Sequence, residues 1–180
     1  IVVFGVGGIG LCAIVASQLL GCSPIIAVDI QSNKLDMALE LGATHSINAA
    51  TCNVREEIVK ICGDGVDYAI EATGDTTVMA NAIEVVRSFG GTAVIVGNPP
   101  VGAKLNLDPW QIIFGKRLVG AWSGDHDADR DFINYSKMLK RNSIKTSVIL
   151  EPPTALENIN QVVEDMMDGR VGRPVIDMAM

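Results

Sequence analysis

Near the start of the chain, Gly5-Val6-Gly7-Gly8-Ile9-Gly10 sets glycines at the spacing Gly-x-Gly-x-x-Gly. An apolar run, Ile1-Val2-Val3-Phe4, precedes them and a helical stretch follows. At such a strand-to-helix turn each glycine has a physical task. Gly5 permits the tight turn. Gly7 lets a pyrophosphate approach bare main chain, and Gly10 lets the helix lie close to the sheet. The first helical turn, from Gly8 and Ile9 on, offers unpaired N–H groups and the positive end of its dipole to phosphate oxygens.

Alone, the glycine spacing describes an ordinary strand-to-helix turn. Here a second apolar run, Ile25-Ile26-Ala27-Val28, ends at Asp29, nineteen residues beyond Gly10. A carboxylate at that place accepts hydrogen bonds from the adenosine ribose hydroxyls and repels a 2′-phosphate. The two features together predict dinucleotide binding, with NAD favoured over NADP.

These residues need a scaffold, and the remaining pattern supplies one. Short β-branched runs alternate with helical stretches. The reading gives strands over 1–4, 25–28, 45–48, 66–72, 92–97 and 117–122. The first helix, Ile9 to Leu20, is apolar on nearly every side. Ser32 is the expected N-cap of the second, with Leu35, Ala38 and Leu39 as its stripe and Gly42 closing it. Val54, Ile58, Ile61 and Cys62 stripe a third helix, and Val78, Ala82 and Val85 a fourth. Asp108-Pro109 opens a short one as N-cap and N1 proline. Strands alternating with helices imply an α/β fold, a doubly wound parallel sheet of six strands in the order 3-2-1-4-5-6. After Trp122 the regularity weakens. Ala128, Phe132, Tyr135 and Leu139 share a helix face. A brief strand is expected over 147–150, and Thr154-Ala155-Leu156-Glu157 reads as a capping box opening a last helix that ends at Gly169. Arg173 to Ile176 reads as extended. The division is a dinucleotide-binding domain over 1–122 and a C-terminal α/β appendage over 123–180.

Composition excludes several partners. The 180 residues carry a net charge of −7, which disfavours nucleic acid and anionic membranes. Apolar residues make up 48 % but aromatics 4 %, so the core is expected to be aliphatic, as buried parallel strands require. No apolar run is long enough to span a bilayer and no signal peptide is recognisable. Cys12, Cys22, Cys52 and Cys62 have no Cys-x-x-Cys spacing and read as reduced core residues of a cytoplasmic protein. His45 and His126 lack partners at ligand spacing. Asp125, His126, Asp127 and Asp129 read as a solvated helix start. The first residue, Ile1, already lies in a strand-like run, from which a preceding segment is expected.

The glycine turn, "AVDI" with Asp29, "LGATHSIN" (41–48), "VDYAIEATG" (66–74), "AVIVGNPP" (93–100) and "VGRPVIDM" (171–178) resemble the cofactor domain of the zinc-dependent medium-chain alcohol dehydrogenases. The resemblance runs from Ile1 to about Met178. It implies that Lys34 supports the adenosine ribose beside Asp29. Ala72, Thr73 and Gly74 would line the nicotinamide ribose, and Val96, Gly97 and Asn98 the wall around the ring. The main chain of Val96, Ala121 and Ser123 would bond the carboxamide, Asn98 and Trp122 would line the nicotinamide end of the pocket, and Arg173 would touch the pyrophosphate.

The resemblance further implies reversible hydride transfer between a small alcohol or its carbonyl product and NAD⁺. It implies zinc as the Lewis acid on the alcohol oxygen, with ligands upstream of the glycine turn and so outside this chain. No catalytic or metal residue is then expected in this chain, and it is expected to be inactive alone. The appendage would return to the catalytic domain. Strand 117–122 would form a sheet edge joining two copies in a homodimer or tetramer. Two competing readings are a non-catalytic NAD-sensing module and a zinc-free NADPH reductase of the same superfamily. "LVGAWSG" (118–124) at family spacing weighs against the first and Asp29 against the second. A short-chain dehydrogenase would need Tyr-x-x-x-Lys, and Tyr135 is followed at that spacing by Leu139.

Overall fold

The structure, a computed structural model, describes residues 1–142 and 145–180. Strand β1 (Val2–Phe4) leads through the glycine turn into helix α1 (Gly8–Leu19). There follow β2 (Ile26–Asp29), α2 (Ser32–Glu40), β3 (His45–Asn48), α3 (Val54–Cys62), β4 (Tyr68–Glu71), α4 (Thr76–Val85), β5 (Thr92–Ile95), α5 (Pro109–Ile113) and β6 (Arg117–Gly120). The six strands form one sheet, every pairing parallel, in the order β3-β2-β1-β4-β5-β6. This is the sheet order expected from the alternation.

Why the sheet is covered on both sides is visible in β1. Successive strand side chains point to opposite faces. Val2 and Phe4 join Ile26, Val28 and Ile47 in a core under α3 and α4. Val3 and Ala27 join Leu11, Ile14, Leu35 and Ala38 in a second core under α1 and α2. An unbroken apolar strand thus feeds two cores at once. Caps hold the covering helices in place. The Asn53 side chain accepts from the Arg55 and Glu56 N–H groups at the start of α3. Asp75 accepts from Thr77 and Val78 at α4. Asp108 accepts from the Trp110 N–H at 3.0 Å, with Pro109 at the first helical position, as expected.

Three local expectations are corrected. Gln31, not Ser32, is the N-cap of α2, with no side-chain cap bond; the Ser32 hydroxyl instead accepts from Asn48 Nδ2 at 3.2 Å. Residues 147–149 belong to a helical turn, α7 (Thr146–Ile149), rather than a strand. Its Val148 and Ile149 pack on the α1–α2 core, and that burial overrides their β preference. Thr154 does not open the last helix. It lies in β7 (Leu150–Ala155), where it pairs with Ile176 across a parallel ladder. Helix α8 begins only at Ile159 and runs to Met167, with Gly169 beyond it at φ 68°.

The strand β8 (Arg173–Asp177) pairs in parallel with β7 as a separate two-stranded sheet, and helix α6 (Ala128–Asn142) precedes both. This is the α/β appendage. It touches the sheet domain through Val148, Ile149 and a Lys145–Glu40 ion pair of 2.8 Å. The cysteines also differ from expectation. All four are free, but Cys12 and Cys52 are exposed and Cys22 and Cys62 only half-buried. Helix α1 explains Cys12. Its outer face, with Ile9 53 % exposed, is open although its composition is apolar all round.

Candidate functional site

All the predicted site residues but Arg173 lie at or beyond the carboxyl ends of strands of the six-stranded sheet, the edge at which open α/β sheets receive ligands. Strands β4, β5 and β6 are shorter than expected. Ala72, Val96, Ala121 and Trp122 therefore stand just past the last ladder pair rather than within it.

The glycine turn has the three predicted geometries. Gly5 sits at φ 79°, where side chains are strained, and a Cβ there would stand 2.6 Å from the Thr73 methyl. Gly10 lies against the carbonyl of Gly5, and any side chain would overlap that oxygen. Gly7 is different. Nothing lies within 4 Å of where its Cβ would be, so the protein's own packing does not demand a glycine there. The open space over Gly7 is what a phosphate needs at the start of a twelve-residue helix.

Two charged groups flank that opening. Asp29 ends β2, and one carboxylate oxygen accepts from the Val6 N–H at 2.9 Å while the other accepts from the Gln31 N–H at 3.0 Å. Both bonds come from main chain, so the carboxylate is aimed rather than free. On the other side Arg173, at the start of β8, lies along Gly8; its Cδ is 3.4 Å from a notional Cβ there. The C-terminal appendage thus delivers a guanidinium to the turn, a placement the chain's spacing does not disclose. Lys34 is half-buried on α2 and lines a small cavity of about 30 Å³ with Val6, Gly7 and Asn33.

The β4 and β5 ends are pressed together main chain to main chain. Gly74, at φ 82°, would place a Cβ 2.6 Å from the Asn98 carbonyl, and Gly97 abuts Gly74 in turn. Val96 donates its N–H to the Glu71 carbonyl at 2.8 Å, and Ala121 donates to the Ile95 carbonyl at 3.0 Å. Ser123 follows in a left-handed conformation, φ 51°, which turns the chain at the start of a single 3-10 turn over Ser123–Asp125. Asn98 is exposed, and Trp122 is 78 % exposed. Ile9 and Val96 open onto an apolar cleft of about 580 Å³ that continues to Tyr135 and Leu139 of α6 and Leu150 of β7.

One residue of this neighbourhood escaped sequence reasoning. Glu71 is fully buried at the end of β4. Its Oε1 accepts from the Thr73 N–H at 2.6 Å, from the Thr73 hydroxyl and from the Gly74 N–H at 2.9 Å. Its Oε2 is buried with no partner among the described residues. A carboxylate following Ala69 and Ile70 at the buried end of a strand run was the available signal. Asp75, next along, has its carboxyl held below the usual range, first by the Thr77 N–H and then by that of Val78.

Among the described residues no three His, Cys, Asp or Glu side chains converge on one point. His45 Nδ1 lies 2.9 Å from the Thr44 hydroxyl, and His126 Nδ1 lies 2.7 Å from the Ser123 carbonyl. Asp131 takes the Arg130 guanidinium and the Asp127 N–H. The side chain of Asp125, which the sequence grouped with His126, lies outside the described residues. No helix among the described residues is long and apolar enough to cross a membrane.

Comparison with known proteins places this geometry. A family model described as zinc-binding dehydrogenase matches residues 8–141. The S-(hydroxymethyl)glutathione dehydrogenase of Paracoccus denitrificans is 32 % identical over 97 % of this chain and 48 % of that protein. The crystal structure of benzyl alcohol dehydrogenase from Acinetobacter calcoaceticus superposes with a TM-score of 0.92 at 29 % identity, covering 97 % of this chain and 48 % of that one. A zinc-binding dehydrogenase of Sinorhizobium meliloti, solved bound to NADP, has a TM-score of 0.80 at 25 % identity, covering 90 % of this chain and 47 % of that one. The chain spans about half the length of the relatives it matches.

Proposed function

This chain belongs to the zinc-binding dehydrogenase family, and from that premise we propose that it is the NAD-binding half of an alcohol dehydrogenase. The observation that carries the reading is the opening over Gly7, bordered by Asp29 on one side and Arg173 on the other. A pyrophosphate laid there would meet main-chain N–H groups, the helix dipole and a guanidinium, while the adenosine ribose reached Asp29. Lys34, at the mouth of the small cavity beside Gly7, would support that ribose.

The nicotinamide would reach the β4–β6 ends. The carbonyls of Val96 and Ala121 suit the carboxamide NH₂, and the Ser123 N–H suits its oxygen. Ala72, Thr73 and Gly74 would border the nicotinamide ribose, and Gly97, Asn98 and Trp122 the ring and the substrate end. NAD supplies the hydride acceptor when bound. The chain's own residues bind it, orient the ring and leave its outer face toward the apolar cleft at Ile9. Zinc is not assigned to any residue of this chain.

NAD is chosen over NADP on Asp29. Its carboxylate is already fixed by two main-chain donors and would meet a 2′-phosphate with like charge. The substrate class is a small alcohol and its carbonyl product. Residues 123–180 are assigned to a unit distinct from the sheet domain of 1–122, and the protein to the cytoplasm. Among the described residues strand β6 pairs only with β5, and Val119 on it is 43 % exposed, so two copies joined edge to edge are proposed as the assembly. Calorimetric titration is expected to show saturable NAD binding, weaker NADP binding and no alcohol oxidation. Equal affinity for the two cofactors would overturn the choice of NAD, and zinc-dependent oxidation by this chain alone would overturn its assignment as a non-catalytic half.

A further inference from the structure

Among the described residues Glu71 is the only charged residue type that is fully buried. Burying a carboxyl is costly unless its lone pairs are met. Here only one oxygen is met. Oε1 gathers the Thr73 N–H, the Thr73 hydroxyl and the Gly74 N–H, while Oε2 has no partner among the described residues. Oε2 faces Gly97 so closely that a Cβ there would stand 2.8 Å away. The main-chain carbonyl of Glu71 takes the N–H groups of Val96 and Gly97 at 2.8 and 3.0 Å. The Thr73 methyl, held by that first set of bonds, packs on Gly5. One residue therefore ties together three loops: the glycine turn after β1, the Thr73–Gly74 turn after β4 and the Val96–Gly97 turn after β5.

From this we infer that Glu71 is a positioning residue for the nicotinamide half of the cofactor site. The inference rests on the cofactor reading above. Glu71 touches neither cofactor nor substrate. It acts through Thr73, Gly74 and Gly97, fixing where the loops stand that would receive the nicotinamide and its ribose. The acceptor oxygen is the working part, so a neutral amide of the same shape should serve. The adenosine half of the site meets this network only at the Thr73 methyl on Gly5; Asp29 is held by bonds of its own from the Val6 and Gln31 N–H groups, so that half should depend on Glu71 less.

The test compares NAD with ADP, which fills only the adenosine and phosphate positions. The wild-type chain is expected to bind both. Glu71→Met keeps length but removes the acceptor, and should weaken NAD about tenfold with ADP changed less than about twofold, the scale of a few misplaced hydrogen bonds. Glu71→Gln should bind both within about threefold of wild type, since its amide oxygen still accepts all three donors. Thermal unfolding of each variant checks the fold. Should Glu71→Met not fold, Thr73→Val removes the hydroxyl bond to Glu71, together with the one that hydroxyl accepts from the Asp75 N–H, and should weaken NAD selectively by about threefold. Equal losses of NAD and ADP would reduce Glu71 to a plain structural residue and overturn the inference. So would unchanged NAD affinity in the variant used, or a Glu71→Gln as weak for NAD as Glu71→Met. A wild-type chain that binds neither ligand would overturn the cofactor reading itself, and this inference with it.

Discussion

The Val6 N–H, inside the glycine turn, donates to the Asp29 carboxylate at 2.9 Å, joining the two halves of the nucleotide signature directly. The other oxygen is held by the Gln31 N–H at 3.0 Å. A carboxylate offers about four lone-pair sites, so two remain for ribose hydroxyls. Asp29→Ala is expected to weaken NAD by about 1–3 kcal/mol, the scale of lost charge-assisted hydrogen bonds, and to relax discrimination against NADP. Parallel titrations with the two cofactors check this, and affinities matching wild type for both would remove Asp29 from the ribose site.

Gly7 and Gly10 should respond oppositely to the same substitution. At Gly10 an added methyl overlaps the Gly5 carbonyl, and Gly10→Ala is expected to cost about 1–3 kcal/mol of stability by overpacking. At Gly7 the space is open and φ is −74°, so Gly7→Ala should unfold at nearly the wild-type temperature. Its methyl would instead stand where the pyrophosphate belongs and weaken NAD. Thermal melts beside NAD titrations separate the two. A Gly7→Ala chain that binds NAD normally would show the phosphate lies elsewhere.

Arg173 lies along Gly8 and is exposed, so Arg173→Met should leave the melting temperature close to wild type. NAD affinity should fall by about 1–2 kcal/mol, and the remaining binding should depend less on salt, because one cation has left the phosphate. An unchanged salt dependence would count against the contact.

Asp75 caps α4 with its carboxyl held below the ordinary range by the Thr77 and Val78 N–H groups. A depressed folded value means the unfolded chain binds the proton more readily. The stabilisation is then full above the ordinary carboxylate value and fades as pH falls through the lowered folded one. Asp75→Asn carries no titrating group, so wild type should outlast it at neutral pH and lose that advantage in acid. Urea melts across pH should show the gap closing downward; a gap constant over the whole range would contradict the cap's ionic character.

What the sequence disclosed follows from range. Gly5, Gly10 and Asp29 act through backbone geometry within one βαβ unit, and spacing encodes that geometry. The sheet order followed from the same regularity. The appendage was read less well. Thr154 carried a good capping pattern, yet the pairing of β7 with β8 kept it extended. Val148 and Ile149 looked like a strand because β-branched residues fit one, and packing on α1 and α2 decided otherwise. The seat of Arg173 beside Gly8 and the bonds of Glu71 join residues from separate loops, and no local pattern records such meetings.

The central claim is that a dinucleotide lies over Gly7 with its adenosine sugar on Asp29. Amide resonances followed by NMR during NAD titration test it residue by residue. The expected result is saturable shifts in Gly7, Gly8, Ile9 and Gln31, abolished in that same set by Asp29→Ala together with Gly7→Ala. Saturation with the glycine-turn amides unmoved, or no saturable shift anywhere, would contradict the account.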